Sequence, residues 1–365
     1  MNSNNLEAIR RQIDEVDEKL TELIEKRMNL VRQVAEYKKS TGTEILDTSR
    51  EDKVIQNVLG KVKNPEYADS IKHIFQNIMH CSKEYQRKKI EAYNKQAQHK
   101  KYGLIGEKLG HSLSPEIHNM FFGMMAISST YDLIEIPLNK LPDVLNSLKA
   151  EGYAGINVTI PYKTEIMKYL DEVSSEAAQI GAVNTIKLYP KFKGYNTDYS
   201  GFGMALDYYG VKVKGKKAAV LGSGGSARAV VTYLADNGAD TITIVSRNAD
   251  GAKLKYPGYK AVNIAEFSAE GYDFVINCTP VGMYPKTDCS PLNKEQLKGA
   301  GFVMDLIYNP NTTKLMEYAE ELGIPCANGF YMLIAQAICA QEIWQERTID
   351  IKIINEIYKG LKDEV

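Results

Sequence analysis

The sequence predicts a multidomain chain, an all-α domain followed by a two-domain α/β unit. Three observations predict it. Residues 1–98 hold almost no β pattern and repeat apolar residues at helical spacing. From Tyr102 onward, short apolar runs alternate with helical patterns. At residues 218–247 a strand, a glycine turn, a helix and a second strand follow one another.

At 365 residues the chain is long enough for two or three domains. An apolar fraction of 44% with 25% charged residues is that of a soluble globular protein. The net charge of −1 points to neither a nucleic-acid nor a membrane partner. The N-terminus, MNSNNLEAIRRQIDEVDEKL, is too polar for a signal peptide. No apolar run approaches the roughly eighteen residues of a membrane span, so a cytoplasmic enzyme is expected. Cys81, Cys278, Cys289, Cys326 and Cys339 show neither CxxC pairing nor metal-ligand spacing, and the histidines are scattered, so reduced thiols and no metal are expected.

The first helix is expected over residues 6–38, where Leu6, Ile9, Ile13, Val16, Leu20, Leu23, Leu30, Val31 and Val34 recur at helical spacing. Its length suggests packing in a bundle. A turn around Ser40–Thr48 leads to a short helix from Ser49 to Leu59, and KVKNPEY breaks the pattern. A third helix carries Ile71, Ile74, Phe75, Ile78 and Met79; its tail, RKKIEAYNKQAQHKK, loses the period and reads as a solvated linker. In the α/β part, YGLIG, YDLIEI, GINVTI and AVNTIKLY read as strands, with helices after Ser114, over Leu141–Glu151 and after NVTIPYK. After KVKGKK the strands are AAVLG, TITIVS, DFVINC and FVMDL, with helices following Ser226, Thr312 and Phe330. The expected boundaries are 1–98 for the helical domain and linker, 99–203 for an α/β substrate-binding domain and 204–330 for a dinucleotide domain. Residues 331–365 are expected as C-terminal helices packing back on the substrate domain.

The first helix places cations in a pattern that suits an anion. Arg27 and Lys38 share a face about 16 Å apart, close enough for two long side chains to close around a small dianion. Arg10 lies roughly 25 Å before Arg27 and about a quarter turn away, so it must act elsewhere, most economically in the site of a partner subunit. Ser82 and Gln86 extend the apolar stripe of the third helix and need polar partners. Asp47, Arg50 and Glu51 stand at the start of the short helix. Cations on a long helix more often belong to a solvated face, and the pattern alone leaves that reading open.

Residues 6–86 resemble the all-helical class of chorismate mutase through LEAIRRQIDEVDEKLTELIEKR, VAEYK, ILDTSRE and IFQNIMHCSKEYQ. The resemblance implies an intertwined three-helix homodimer and a role for each residue. Arg10 of the partner subunit and Arg27 would grip the two carboxylates of chorismate. Lys38 and Gln86 would donate to the ether oxygen, and Glu51 would hold the substrate hydroxyl. Arg50, Asp47 and Ser82 would line the pocket. The rearrangement to prephenate needs no nucleophile, only conformational restraint and stabilisation of charge on the ether oxygen. Gln86, being neutral, implies weak pH dependence.

In VLGSGGSARAVVTYL, Gly222, Gly224 and Ala227 occupy the G-x-G-x-x-G/A positions between a strand and a helix, the Rossmann-type dinucleotide fingerprint. Backbone N–H groups from Gly222 through Ser223, Gly224, Gly225, Ser226 and Ala227 would cradle a pyrophosphate. TITIVS ends in Ser246-Arg247-Asn248, with Arg247 where an NAD site would place an acid, which favours the 2′-phosphate of NADP(H). NVTIPYK puts Lys163 at a strand's carboxyl end, and Asp198 in a polar turn could pair with it as a proton relay beside a carbonyl. Ser112, Ser114, Asn157, Thr159 and Asn184 suit a polyhydroxylated ring.

HSLSPEIHN, NVTIPYK, GAVNT, NTDYSGF, TPVGM, YNPNTTKLMEYAEELGI and NGFYMLIAQA, in order, make residues 102–345 similar to shikimate dehydrogenase. The resemblance implies NADPH-dependent reduction of 3-dehydroshikimate to shikimate. Lys163 would be the acid/base and Asp198 its partner. Ser112 and Ser114 would bind the carboxylate, and Asn157, Thr159, Asn184, Tyr308 and Gln336 would complete the pocket. Leu306 and Gly329 would flank the nicotinamide. Lys108-Leu109 and Ser246-Arg247-Asn248 depart from the family's usual Pro-Ile and Asn-Arg-Thr. The competing expectations are a monofunctional shikimate or quinate dehydrogenase with a helical dimerisation and effector-sensing module, and a non-catalytic NADP sensor.

Overall fold

The structure, a computed structural model, describes the backbone of residues 3–41, 48–98, 100–110 and 112–362, and the side chains of residues 6–34, 50–86, 100–110 and 112–362. The chain divides into two compact units, Met1–His99 and Lys100–Val365.

The first unit holds α1 (Ser3–Thr41), α2 (Thr48–Leu59) and α3 (Ala68–Gln98). The α2–α3 break is a 3-10 turn at Pro65–Tyr67, where the Asn64 side chain accepts from the Glu66 N–H at 3.1 Å. α3 packs on both other helices, and Val31 of α1 and Met79 of α3 are buried. Most of the α1 apolar stripe stays in solvent: Ile13 is 53% exposed, Val16 61% and Leu23 64%. Two expectations change. α1 runs through Ser40 to Thr41, so only 42–47 of the expected turn is left, outside the described residues. The tail read as a linker is helical to Gln98, and Lys100-Lys101 already belong to a strand. Its Lys, Gln, Glu and Ala residues hold helical backbone without an apolar stripe, and no Gly or Pro interrupts them.

The second unit opens with β1 (Lys100–Gly106), α4 (Ser114–Met124), β2 (Ser129–Glu135), α5 (Leu141–Ala150) and β3 (Tyr153–Val158). The short elements β4 (Glu172–Val173), α6 (Ser175–Ile180), β5 (Thr185–Lys187) and β6 (Lys193–Tyr195) follow. Their sheet has the order β2-β1-β3-β5-β6-β4. β1 lies parallel to β2 and β3, whereas β5 runs antiparallel to β3 and β6. Then come α7 (Thr197–Tyr208), β7 (Lys217–Leu221), α8 (Gly225–Asp236), β8 (Thr241–Ser246), α9 (Ala249–Lys255) and β9 (Lys260–Asn263). β10 (Phe274–Asn277), α10 (Lys294–Leu297), β11 (Phe302–Asp305), α11 (Lys314–Glu321) and β12 (Cys326–Ala327) complete the second sheet. Its order is β12-β11-β10-β7-β8-β9, parallel throughout. Strands buried on both faces read as unbroken apolar runs, as AAVL in β7 and FVI in β10 do.

The chain closes with α12 (Phe330–Gln345) and α13 (Ile351–Leu361). α12 is apolar nearly all round and is buried accordingly, packed on α7, α4, α13, β3 and β5. Trp344 anchors it: its indole Nε1–H donates to the Ile186 carbonyl at 3.0 Å, and its ring stacks on Tyr102 at 4.7 Å. The ring lies so close to Gly155 that a Cβ there would sit 2.2 Å from Nε1. Gly155→Ala is therefore expected to cost roughly 1–3 kcal/mol of stability through overpacking; an unchanged urea midpoint would refute this contact.

Candidate active sites

Both sheets have a place where consecutive strands diverge to opposite sides. In the first, β1 stands between β2 and β3; in the second, β7 stands between β8 and β10. Crevices open at the carboxyl ends of strands at such points. A cavity of about 220 Å³ lies where the two meet. Its walls come from Ser112, Ser114, Asn157, Thr159, Lys163 and Asn184 on the first sheet's side, and Ser226, Leu306, Tyr308 and Gly329 on the second's. Asp198 and Gln336 reach it from α7 and α12.

Lys163 does not begin a helix, as the sequence suggested. The Tyr162 N–H closes a turn on the Thr159 carbonyl (3.0 Å), and the Lys163 carbonyl accepts from the Val183 N–H (2.7 Å). Only Glu165–Tyr169 is helical, as a 3-10 segment. The backbone carbonyl of Lys163 is thus engaged by a segment twenty residues away, which fixes the residue at the rim of β3. Asp198 stands in the first turn of α7 rather than in a free turn; its N–H donates to the cap residue Asn196 at 3.1 Å.

Lys163 Nζ donates to Asp198 Oδ2 at 2.6 Å, and both side chains are nearly buried. Asn184 organises the rest. Its Nδ2 donates to Asp198 Oδ1 (2.9 Å), Thr197 Oγ1 (3.0 Å) and Gln336 Oε1 (3.4 Å), while its Oδ1 accepts from the Thr197 N–H at 2.7 Å. Asn157 donates to the Asn184 carbonyl (3.1 Å) and to Thr185 Oγ1 (3.0 Å), and accepts from the Tyr131 hydroxyl at 2.7 Å. Ser112 Oγ donates to Ser114 Oγ at 3.1 Å. Thr185, Thr197 and Tyr131 escaped the sequence reading. Thr197 was findable as the neighbour of Asp198, but Tyr131 sits in a strand between Thr130 and Asp132 and carries no local signal.

Behind this wall, His118 is fully buried and stacked on Tyr131 with ring centroids 4.0 Å apart. Burial pulls its pKa down to about 3, and Gln341 Nε2 donates to its Nδ1 at 2.8 Å, so the ring is neutral. At the end of β11, burial pushes the Asp305 carboxyl up to about 6.

The glycine turn fits a dinucleotide. Gly222 has φ +105°, a conformation that favours glycine, and a Cβ there would come within 3.0 Å of Thr279 Cγ2. A Cβ at Gly224 would meet nothing within 4 Å, and the first turn of α8 has no side-chain cap, leaving N–H groups for an anion. A Cβ at Gly225 would lie 3.5 Å from Lys163 Cδ, so the turn adjoins the Lys163–Asp198 pair. Gly222, Ser223, Gly224, Gly225 and Ala227 belong to this turn and the start of α8, outside the cavity, and Ser246 with the exposed Arg247 at the end of β8 lies outside it too. Asn248 caps α9 by accepting from the Gly251 N–H at 2.8 Å. Leu109, the other departure, is buried and donates its N–H to Glu135 Oε1 at 2.7 Å.

In the helical unit, Arg27 Nη1 donates to Ser82 Oγ, and Ser82 Oγ to the Ile78 carbonyl at 2.6 Å. Ser82 and Gln86 are buried, and Gln86 Oε1 has no hydrogen-bond partner among the described residues. Glu51 is held by Lys83, a cation the sequence reading missed, at 2.9 Å and 3.2 Å from its two oxygens. Arg10 and Arg50 are exposed. The side chain of Lys38 and all of Asp47 lie outside the described residues.

Known proteins match both units. Shikimate dehydrogenase (NADP(+)) from Clostridium beijerinckii is 43% identical over 270 residues, 72% of this chain and 98% of the relative. The chain belongs to the shikimate dehydrogenase family. The model of the shikimate dehydrogenase substrate binding domain matches residues 104–186, and that of chorismate mutase type II matches residues 9–87, so the dehydrogenase is fused to a chorismate mutase domain. Among solved structures, a chorismate mutase/shikimate 5-dehydrogenase fusion protein from Clostridium acetobutylicum is 45% identical with a TM-score of 0.71, covering 73% of this chain and 98% of that one. The shikimate 5-dehydrogenase of Thermus thermophilus, solved with NADP(H) and shikimate, is 30% identical with a TM-score of 0.66, covering 72% and 99%. Among the described residues of the dehydrogenase, no helix is long and apolar enough to cross a membrane, and no acid, histidine or cysteine cluster could hold a metal ion.

His118 supplies a pH test. Its folded pKa of about 3 lies below the ordinary 6.5, so its contribution to stability is full above 6.5 and is lost progressively as pH falls from there to about 3. The loss should approach roughly 1.4 kcal/mol per pH unit, and His118→Gln should flatten it in urea denaturation. Equal acid slopes in the two proteins would refute a neutral buried imidazole.

Proposed function

We propose that the second unit interconverts 3-dehydroshikimate and shikimate with NADP(H), and that the helical unit rearranges chorismate to prephenate. The Lys163–Asp198 pair carries the first reading, since it stands in a cavity whose other polar groups are hydroxyls and amides. Ser112 and Ser114 donate to the substrate carboxylate. Asn157, Thr159, Asn184, Tyr308 and Gln336 meet the ring hydroxyls, and Asp198 accepts from the hydroxyl beside the reacting carbon. NADPH, when bound, supplies the hydride for the C3 carbonyl. Lys163 Nζ delivers a proton to the carbonyl oxygen as charge grows there, and in the reverse direction takes the hydroxyl proton. Asp198 keeps the amine aimed between those events. The turn Gly222–Ala227 holds the pyrophosphate, Ser246 and Arg247 the 2′-phosphate, and Leu306 and Gly329 flank the nicotinamide.

In the helical unit, Arg27, already turned onto α3 by Ser82, grips one carboxylate, and Arg10 from a second copy grips the other. Lys38 and Gln86 donate to the ether oxygen, Glu51 holds the hydroxyl, and Arg50, Asp47 and Ser82 line the pocket. The exposed stripe on α1 supports a homodimer through this unit, because a long amphipathic helix buries its apolar face against something.

Lys163→Ala is expected to lower kcat for shikimate oxidation by about 10²–10⁴-fold while NADPH binding, followed by fluorescence, is retained; unchanged turnover would sink the assignment. Leu20→Asp with Leu23→Asp should yield a monomer by analytical ultracentrifugation that has lost chorismate turnover and kept shikimate oxidation. Full mutase activity in that variant would remove the dimeric site.

A further inference from the structure

Asp305 takes no part in the proton transfer described above, yet it is a fully buried acid with no cation among its hydrogen-bond partners. A carboxylate in that position is costly unless its acceptors are filled. They are filled, from three separate segments. Oδ1 accepts from Asn277 Nδ2 at 2.9 Å and from the Ile307 N–H at 3.1 Å, and Oδ2 accepts from Thr313 Oγ1 at 2.7 Å. Asn277 passes the linkage on: its Oδ1 accepts from the N–H and the hydroxyl of Thr279, at 3.0 Å and 2.7 Å, and its carbonyl accepts from the Leu306 N–H at 3.0 Å.

These segments border the cavity on the second sheet's side. Thr279 is the residue that a Gly222 Cβ would crowd, so it backs the glycine turn. Leu306 and Tyr308 line the cavity on the same side as Ser226 of that turn. That wall has no slack, because a Cβ at Gly329 would lie 2.1 Å from the Leu306 carbonyl oxygen. We propose that Asp305 is a positioning residue of the dehydrogenase, clamping the exits of β10 and β11 so that the Leu306–Tyr308 wall and the glycine turn keep one separation. A displacement of a few tenths of an ångström there changes the alignment of the reacting groups far more than it changes binding.

The inference rests on the dehydrogenase reading. The test compares full-length wild type, Asp305→Ala and Asp305→Asn in shikimate oxidation, with NADP+ affinity measured by calorimetry and the primary deuterium isotope effect measured with shikimate deuterated at C3. Asparagine can keep all three contacts, since the Thr313 hydroxyl can turn to accept; alanine keeps none. Asp305→Ala should lose at least tenfold in kcat, show a larger isotope effect on kcat, and bind NADP+ within threefold of wild type. Asp305→Asn should stay within threefold of wild type in all three quantities. A folded Asp305→Ala with wild-type kcat and isotope effect overturns the proposal. So does an Asp305→Asn as impaired as Asp305→Ala, because charge and not the clamp would then matter. If Asp305→Ala does not fold, Thr313→Val removes one contact and should show the same rise in isotope effect; no rise overturns the proposal. A wild-type chain that does not oxidise shikimate overturns the underlying reading, a result distinct from any of these.

Discussion

The dehydrogenase unit is arranged around one ion pair, Lys163 with Asp198, held at 2.6 Å with little solvent. Two charges removed from water are stable only when geometry and further hydrogen bonds compensate their desolvation. The compensation comes from distant parts of the chain: the end of β3 for the lysine, the first turn of α7 for the acid, and Asn184 for the second carboxylate oxygen. Asn184 in turn touches Thr197 and Gln336, so α7 and α12 must both be in place before the pair is complete. An arrangement of this kind is all or none.

The two sheets make that arrangement accessible. Each opens a crevice at the carboxyl ends of its strands, and the crevices meet where Gly225 adjoins Lys163. A cofactor lying along the glycine turn would therefore reach the neighbourhood of Lys163. The buried helix α12 is tied to the first sheet through Trp344, and Asp305 ties the ends of β10 and β11 to Thr313.

Much of this was legible in the sequence, for different reasons at different residues. The glycine turn is a local necessity, since Gly222 needs its positive φ, and it appears as spacing. Lys163 follows a strand that reads as an apolar run. Gln336 and Tyr308 reached the site only through family resemblance, because no local pattern says that residues so far along the chain return to β3. Tyr131, His118 and Asp305 were not singled out at all: no spacing or motif marks them, and their value lies in partners that only the fold supplies. In the helical unit, the Lys83–Glu51 pair was missed because Lys83 reads as one more surface cation. The tail of α3 was misread because periodicity reports a buried face, and backbone propensity alone can keep a helix going.

The claim on which the dehydrogenase account turns is that Asp198 acts through Lys163 and substrate and is not a structural acid alone. Asp198→Asn preserves shape and the Asn184 neighbourhood while removing the charge that holds the amine. Steady-state shikimate oxidation by this variant, with its melting temperature recorded alongside, tests the claim most directly. The account predicts kcat/KM lower by about 10²-fold or more with no loss of melting temperature. Wild-type kcat/KM, or a loss matched by unfolding, would contradict it.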